Sequence, residues 1–226
     1  SVIPLFVLMG QFAYRAGTTE RLYDAAYKWV GRLPGGLAGT TIAASAGFSA
    51  ICGSNSATTA TMGTIAMPEM RRYGYDPALS TGAIAVGGTL GVVIPPSVVL
   101  IVIAVQTEQS LLRLFVAAVV PGLILTALFL ATIFWMCKRN PALGPLGPQT
   151  TWGEKIRALT GVIEALLLFG LVIGGLYMGW FTPTEAGAAG AFGALAIGLL
   201  QRSLDFKGIV FSIVESVRIS AMVVLL

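Results

Sequence analysis

The chain has 226 residues, of which 56% are hydrophobic and 11% are charged, and its mean hydropathy is +0.85. A water-soluble surface cannot be built from that balance, so a soluble globular domain is excluded. Apolar runs of about 20 residues recur along the chain, as expected of helices that cross a hydrocarbon core. The composition therefore predicts an all-α polytopic membrane protein and not a barrel of short alternating strands.

The residue inventory also limits the chemistry. The chain has no His and only two Cys, which argues against His-dependent triads, haem, zinc fingers and a disulfide framework. The acidic residues form no catalytic pair within a span, and basic residues are not grouped with aromatics as on a nucleic-acid surface. We expect no enzymatic activity, no cofactor and no nucleic-acid partner. Both ends lie inside apolar runs, so we also expect a fragment of a longer protein.

The first predicted segment, residues 1–36, contains the end of an apolar helix followed by an amphipathic stretch from Thr18 to Arg32. Tyr and Trp side chains beside basic residues favour the headgroup level of a bilayer. We expect this stretch to lie along the membrane surface. An ordinary loop helix outside the membrane is the alternative.

Residues 37–68 form the first unusual segment, because this weakly apolar run is interrupted by small and polar residues from Gly53 to Thr61. Basic residues in short loops prefer the cytoplasm. If the segment enters and returns as a re-entrant helical hairpin, twelve of the 14 basic residues lie on one side, whereas a single crossing splits them. The hairpin is therefore favoured, with its tip, Gly53–Ser56, near the bilayer midplane.

Residues 78–106 predict a transmembrane helix that is broken in the membrane. The interruptions are expected at 87–89, at Gly91 and at 95–97. Pro95 and Pro96 carry no N–H, so they should free backbone carbonyls one turn earlier, between Thr89 and Val92. The glycines permit an unwound backbone at the same place.

The remaining segments are more conventional. They are a transmembrane helix at 111–137, a polar cytoplasmic loop at 138–158, two transmembrane helices within 159–202 and the start of another helix at 208–226.

Four charged residues in these segments have simple explanations. Glu185 follows a Pro-Thr pair at a helix start, where capping accounts for it. Glu215 and Arg218 are spaced to form a pair on one helix face. Glu164 is expected at the membrane interface.

The two interruptions predict a polar cavity, because non-helical backbone at membrane depth must be buried in protein or line water. Freed carbonyls and the oxygens of Ser54, Asn55 and Ser56 are ligands suited to Na⁺. The helix that starts near Ala57 directs its positive end at the same region and could hold a carboxylate. Close helix packing, or a simple kink at a single proline, is the alternative explanation.

Four sequence blocks support a more specific assignment. They are GSNSAT at 53–58, PEMRRYGYDP at 68–77, TLGVVIPPS at 89–97 and PTEA at 183–186. Their order and spacing resemble the large membrane subunit of the tripartite ATP-independent periplasmic (TRAP) transporters. The resemblance covers nearly the whole chain.

The resemblance implies an architecture. Members have two inverted repeats, each with a re-entrant hairpin and a broken helix, in an elevator-type transport domain held by a scaffold. The chain should contain the first repeat and the start of the second, with residues 1–36 supplying the end of a scaffold-type helix.

The resemblance also implies a function and its residues. Members import an organic acid across the bacterial inner membrane with Na⁺, receive it from a periplasmic substrate-binding protein and pair with a small membrane subunit. A channel or a non-transporting membrane scaffold is the alternative function. The Na⁺ site would involve Ser54, Asn55, Ser56, Thr89, Gly91, Pro95 and Pro96, and the substrate would lie beside Ser54, Asn55, Ser56, Ala57, Thr58 and Ser97.

Overall fold

The computed structural model describes residues 2–147 and 150–224, and these residues form helices joined by turns, with no β-strand among them. The helices are α-helical apart from a short 3₁₀ segment at Pro141–Leu143 and a π-helical segment at Gly170–Gly174 within α8. The helices are α1 (Val2–Arg15), α2 (Thr18–Val30), α3 (Gly36–Cys52), α4 (Asn55–Arg72), α5 (Pro77–Val93), α6 (Val98–Gln106), α7 (Leu111–Arg139), α8 (Trp152–Tyr177), α9 (Pro183–Leu200) and α10 (Phe206–Val224). Four stretches are long and apolar enough to cross a membrane, namely α5 with α6, α7, α8 and α9. The predicted all-α polytopic membrane fold is confirmed.

Helices α3 and α4 form a helical hairpin that turns at Gly53 and Ser54. At its base, the N–H of Leu37 donates a 3.0 Å hydrogen bond to the hydroxyl of Tyr75, which lies just beyond the end of α4. The start of α3 and the end of α4 are therefore close together. Entry of this hairpin into the bilayer from one side only stays a prediction.

Helix α3 occupies the centre of the fold, packed between α2, α5 and α7. Thirteen of its 17 residues are buried, and most of them are small, so neighbouring helices can approach closely. This close packing holds α5 and the hairpin together as one body.

The broken helix consists of α5, the unwound residues 94–97 and α6. The prediction of further breaks at 87–89 and at Gly91 was wrong, because α5 is continuous as far as Val93. Its glycines allow close contacts instead of unwinding. A Cβ added at Gly87, for example, would lie 2.6 Å from the Ser45 hydroxyl oxygen of α3.

Two groups of helices make most of the contacts. Helices α3 to α7 pack on one another, whereas α1 packs on α9 and α10, and α2 packs on both α3 and α8. Glu164 of α8, expected to be merely interfacial, accepts a 2.8 Å ion-paired hydrogen bond from Arg21 of α2. This pair joins α2 to α8, a helix of membrane-spanning length; the position of α2 along the membrane surface stays a prediction.

The connection between α7 and α8 is shorter than the predicted loop at 138–158. Helix α7 continues to Arg139, and α8 begins at Trp152. The Thr151 hydroxyl accepts from the Glu154 N–H, and the Glu154 carboxylate accepts from the Thr151 N–H, which fixes the first turn of α8.

The connecting loop is bonded to the base of the hairpin. Gly35 donates its N–H to the Gly144 carbonyl at 3.1 Å, and the Tyr75 hydroxyl donates to the Pro145 carbonyl at 2.8 Å. Three backbone segments that are distant in sequence therefore meet at the end of the molecule opposite the hairpin tip.

One of the two remaining predictions for charged residues is confirmed and the other is wrong. Glu185 caps α9 as predicted, because its carboxylate accepts from the Thr182 N–H at 2.8 Å. The prediction that Glu215 and Arg218 form an ion pair is wrong. Within residues 2–147 and 150–224, the ion pairs are Arg21 with Glu164 and Lys28 with Asp24.

Candidate functional site at the hairpin tip and the broken helix

The hairpin tip is a tight turn between two helix ends. Gly53 ends α3 with a left-handed φ of 62°, a conformation that favours glycine. Ser54 then caps α4, because its hydroxyl oxygen accepts from the Ala57 N–H at 3.4 Å. The predicted helix start near Ala57 lies at Asn55, two residues earlier.

The break leaves backbone carbonyls without their helical partners. Ile94 still donates its N–H to the Leu90 carbonyl at 2.8 Å. The next two carbonyls, of Gly91 and Val92, would need N–H groups from residues 95 and 96, which are prolines. The freed carbonyls therefore begin at Gly91 and not at Thr89 as predicted.

The tip and the break are in direct contact. The Val98 N–H at the start of α6 donates to the Gly53 carbonyl at 3.1 Å. A Cβ added at Gly53 would collide with the Pro96 carbonyl oxygen, and one added at Gly91 would lie 2.9 Å from the Ser54 carbonyl oxygen. The two segments that the sequence analysis assigned to one site lie against each other.

Four helix ends meet at this contact. The carboxyl ends of α3 and α5 supply carbonyl groups, and the amino ends of α4 and α6 supply N–H groups. Carbonyl ends carry partial negative charge and attract cations, whereas amino ends attract anions. The junction can therefore bind ions of both signs without charged side chains.

The predicted site residues differ in how open they are. Ser56, in the first turn of α4, is exposed, whereas the three residues Pro95–Ser97 are buried. Thr58 is also buried, and its hydroxyl donates to the Ser54 carbonyl at 2.8 Å. Thr89 lies on the exposed face of α5, where its hydroxyl donates to the Val86 carbonyl at 2.6 Å. The hydroxyls of Thr58 and Thr89 thus both donate their hydrogen bonds to backbone carbonyls of their own helices.

Two residues outside the predicted set, Thr59 and Gly88, contact Asn55. The Thr59 hydroxyl donates to the Asn55 side-chain oxygen Oδ1 at 3.2 Å. A Cβ added at Gly88 would collide with the Thr59 hydroxyl and would lie 2.8 Å from Asn55 Oδ1. The contact between Asn55 and Thr59 could be predicted, because the two residues are four positions apart on one helix. The approach of Gly88 from α5 could not be predicted from the sequence.

The donor set at the junction suits a hard monovalent cation. Among residues 2–147 and 150–224, no group of three or more His, Cys, Asp or Glu side chains could hold a metal ion. Carbonyl and hydroxyl oxygens, from residues such as Gly91, Val92 and Ser54, are ligands of the kind that Na⁺ accepts.

Comparison with known proteins places the chain in a family. All of residues 1–226 match the family described as "Tripartite ATP-independent periplasmic transporter, DctM component". The chain is 41% identical over 84% of its length to the C4-dicarboxylate TRAP transporter large permease protein DctM of Pseudomonas aeruginosa. It is 36% identical over 99% of its length to the isethionate TRAP transporter permease protein DctMQ of Oleidesulfovibrio alaskensis.

A third relative is the 2,3-diketo-L-gulonate TRAP transporter large permease protein YiaN of Escherichia coli, which is 33% identical over 99% of the chain. The matches cover 44%, 35% and 52% of these three relatives, so the chain spans about half their length or less. The full-length family match and the four helices of membrane-spanning length agree with the four sequence blocks and the hairpin. The chain therefore belongs to the DctM component family of TRAP transporters, and it is a multi-pass protein of the inner membrane.

Proposed function

We propose that this chain forms part of the translocation path of a Na⁺-coupled importer of an organic acid. The observation that carries the proposal is the contact between the hairpin tip and the broken helix, where Val98 bonds to Gly53 and four helix ends meet. Discontinuous helices of this kind form the substrate and coupling-ion sites of secondary transporters.

The cation is assigned to the carbonyl side of the junction. The carbonyls of Gly91 and Val92 lack helical N–H partners, and Ser54 supplies a hydroxyl oxygen nearby. In a membrane each unsatisfied backbone group costs several kcal/mol. A bound Na⁺ would satisfy these oxygens, so its entry stabilises the unwound conformation.

The anion is assigned to the amino ends of α4 and α6. Asn55 is exposed in the first turn of α4, and no basic side chain is needed there because the helix end supplies partial positive charge. The names of the three relatives include C4-dicarboxylate, isethionate and 2,3-diketo-L-gulonate, which are all organic anions. A carboxylate or a sulfonate is therefore the proposed substrate class.

The remaining parts of the proposal concern the assembly. A periplasmic binding protein delivers the acid, a small membrane subunit completes the complex, and the hairpin enters the bilayer from the cytoplasmic side. The hairpin with α5 to α7 would move against the other helices in an elevator-type cycle. Family membership supports these assignments, as does the division of the contacts into two groups of helices.

Uptake into proteoliposomes tests the proposal. The full-length protein would be reconstituted with its small subunit and binding protein, and labelled succinate, isethionate and 2,3-diketo-L-gulonate would be supplied. We expect one of these acids to accumulate above its external concentration when Na⁺ is higher outside. Uptake that is unchanged when K⁺ replaces Na⁺ would reject Na⁺ coupling, and uptake that only equilibrates would favour a channel.

A further inference from the structure

We propose that the junction between the end of α2 and the start of α8 binds the headgroup of an anionic phospholipid. The junction is formed by Trp29 in the last turn of α2, by Trp152 and Lys155 in the first turn of α8, and by Arg32 just beyond α2. None of these residues belongs to the hairpin tip or the break. The proposal therefore goes beyond the transport function and does not depend on it.

Lys155 is held between two indole rings. Its ammonium nitrogen Nζ lies 5.8 Å from the centre of the Trp29 ring and 5.1 Å from the centre of the Trp152 ring. A cation within about 6 Å of an aromatic ring is attracted by the negative face of that ring. Since the two rings come from different helices, the ammonium group is fixed where α2 meets α8.

Hydrogen bonds to the backbone hold the two sides of the junction in place. The Thr150 hydroxyl donates to the Lys28 carbonyl at 2.9 Å, and the Gly147 N–H donates to the Gly31 carbonyl at 3.1 Å. The end of α2 is therefore bonded to the segment that leads into α8. A ligand of Lys155 would meet a site that is already assembled, which lowers the entropic cost of binding.

The junction carries positive charge that is not neutralised by an ion pair. Within the parts of the chain that the structure describes, neither Lys155 nor Arg32 is ion-paired with a carboxylate. Arg32 is exposed, and Lys155 is half-buried between the rings. Two cationic groups at one place attract an anion more strongly than either group does alone.

The nearby acidic groups are engaged in other contacts. Asp24 is ion-paired with Lys28 at 2.9 Å, and the Glu154 carboxylate accepts from the Thr151 N–H at 2.7 Å. The complementary ligand of Lys155 is therefore an anion from outside the described chain. A phosphate fits, because its oxygens accept strong hydrogen bonds from an ammonium group.

An apolar surface continues from the junction along α8. Trp152, Ile156, Ile163 and Leu167 are 51–73% exposed, and their spacing places them on one face of the helix. Helix α8 is long and apolar enough to cross a membrane. Tryptophan is typical of the headgroup level, and basic pockets between helices bind anionic headgroups. Acyl chains can therefore lie against this face while the phosphate reaches Lys155, which a soluble phosphate would not require.

Thermal unfolding of the full-length protein in detergent tests the proposal. Phosphatidylglycerol and phosphatidylcholine with the same acyl chains would be titrated separately, and the unfolding midpoint would be followed at each ratio of lipid to detergent. We expect phosphatidylglycerol to raise the midpoint at lower ratios than phosphatidylcholine does. In Lys155→Gln, the phosphatidylglycerol ratio for half-maximal stabilisation should rise about fivefold, as expected for the loss of one Lys beside an anionic lipid.

Three further variants separate the clamp from charge in general. Lys155→Arg keeps a cation that also stacks on indole rings, so the ratio should stay within about twofold of the wild-type value. Trp152→Ala removes one of the two rings and should raise the ratio. Lys138→Gln is the matched control, because it removes the same charge from an exposed position in the last turn of α7. It should change the ratio by less than about twofold.

Equal stabilisation by the two lipids would overturn the proposal, and so would a Lys155→Gln variant that behaves like Lys138→Gln. Inorganic phosphate without lipid is the remaining arm, and we expect it to leave the midpoint unchanged. Stabilisation by phosphate that is lost in Lys155→Gln would make the ligand a soluble phosphate and would reject the phospholipid. Uptake is not measured in any of these experiments, so their outcomes are independent of the proposed transport function.

Discussion

The Val98 N–H donates a 3.1 Å hydrogen bond to the carbonyl of Gly53, so the amino end of α6 is tied directly to the carboxyl end of α3. These residues are 45 positions apart, and each lies at a helix end, since Gly53 follows the last residue of α3 and Val98 is the first residue of α6. The bond makes the hairpin tip and the broken helix one structural unit, so a disturbance on either side should be felt at both.

Gly53 is the position where this unit is most sensitive to a methyl group. Gly53→Ala would place an L residue at a φ of 62° and a Cβ against the Pro96 carbonyl oxygen. The left-handed conformation alone costs about 1–2 kcal/mol, and the collision adds to it. We expect a lower midpoint of thermal unfolding in detergent and the loss of Na⁺-dependent uptake.

Gly63→Ala is the control for this prediction. Gly63 lies within α4, and an added Cβ would meet nothing within 4 Å. Alanine is favoured over glycine inside a helix by about 0.5–1 kcal/mol, so this variant should unfold at the same or a higher temperature. Equal midpoints for the two variants would contradict the proposed contact between tip and break.

The serines of the tip should affect the requirement for Na⁺. Ser56→Ala removes an exposed hydroxyl at little structural cost, and Ser54→Gly removes a hydroxyl while preserving most of the cap energy. If these oxygens bind Na⁺, the Na⁺ concentration for half-maximal uptake should rise about tenfold, by analogy with a lost hydrogen bond to a charged group.

A hydroxyl outside the site provides the comparison. Thr81 is exposed near the start of α5, where its hydroxyl donates to the Pro77 carbonyl, so Thr81→Ala should leave the Na⁺ requirement unchanged. Wild-type Na⁺ dependence in both serine variants would show that the tip hydroxyls are not ligands.

The contact between the hairpin tip and the broken helix could be expected from the sequence, because its signals are local. Pro95 and Pro96 cannot donate a hydrogen bond, and a small polar run such as 53–56 cannot form an apolar span. The sequence alone does not decide the conformation at the glycines of α5, because glycine permits two outcomes, unwinding and close approach. Only the residues opposite them, such as Thr59 at Gly88, decide which of the two occurs.

Contacts between residues distant in sequence explain other differences between the predicted and the observed structure. Arg21 and Glu164 are 143 residues apart, and periodicity along the chain gives no information about which distant residues meet. The early start of α8 was readable, since Thr151 and Glu154 have the spacing of a capping box before an apolar run.

The base of the hairpin depends on one hydroxyl. Tyr75→Phe would leave the buried Leu37 N–H and the Pro145 carbonyl without their shared partner. Each unsatisfied buried group costs about 1–3 kcal/mol, so the free energy of unfolding should fall by at least about that amount. Tyr177→Phe, at an exposed position, is the control and should change it by less than about 0.5 kcal/mol.

The effect of Tyr75→Phe should have a defined pH dependence. Burial raises the pKa of Tyr75 above the ordinary value of 10.0. Above about pH 10 the unfolded chain therefore loses its proton before the folded protein does, and stability falls as the pH rises towards the folded-state pKa. The difference between wild type and Tyr75→Phe should be constant from neutral pH to about pH 9. A difference that changes within that range would contradict the assignment of the hydroxyl as a neutral donor.

The pair between Arg21 and Glu164 should contribute more to stability than the second ion pair of the described residues. The two side chains are 33% and 18% exposed, whereas Lys28 and Asp24 are 27% and 55% exposed. Exposed pairs contribute about 0.2–1 kcal/mol, and a partly buried, directly hydrogen-bonded pair should lie at or above the upper end of that range.

Double-mutant cycles on thermal unfolding in detergent measure this difference. We expect a coupling energy of about 1 kcal/mol between Arg21→Gln and Glu164→Gln, and less than about 0.5 kcal/mol between Lys28→Gln and Asp24→Asn. The cycle is necessary because Gln201 also donates to Glu164 and Arg21 also donates to the Ala16 carbonyl, so each single variant changes more than the ion pair. The ionic strength in these unfolding measurements should be set with KCl, since Na⁺ is the proposed coupling ion. A coupling energy near zero for the first pair would mean that α2 is held on α8 by packing alone, as where Gly161 lies against Arg21.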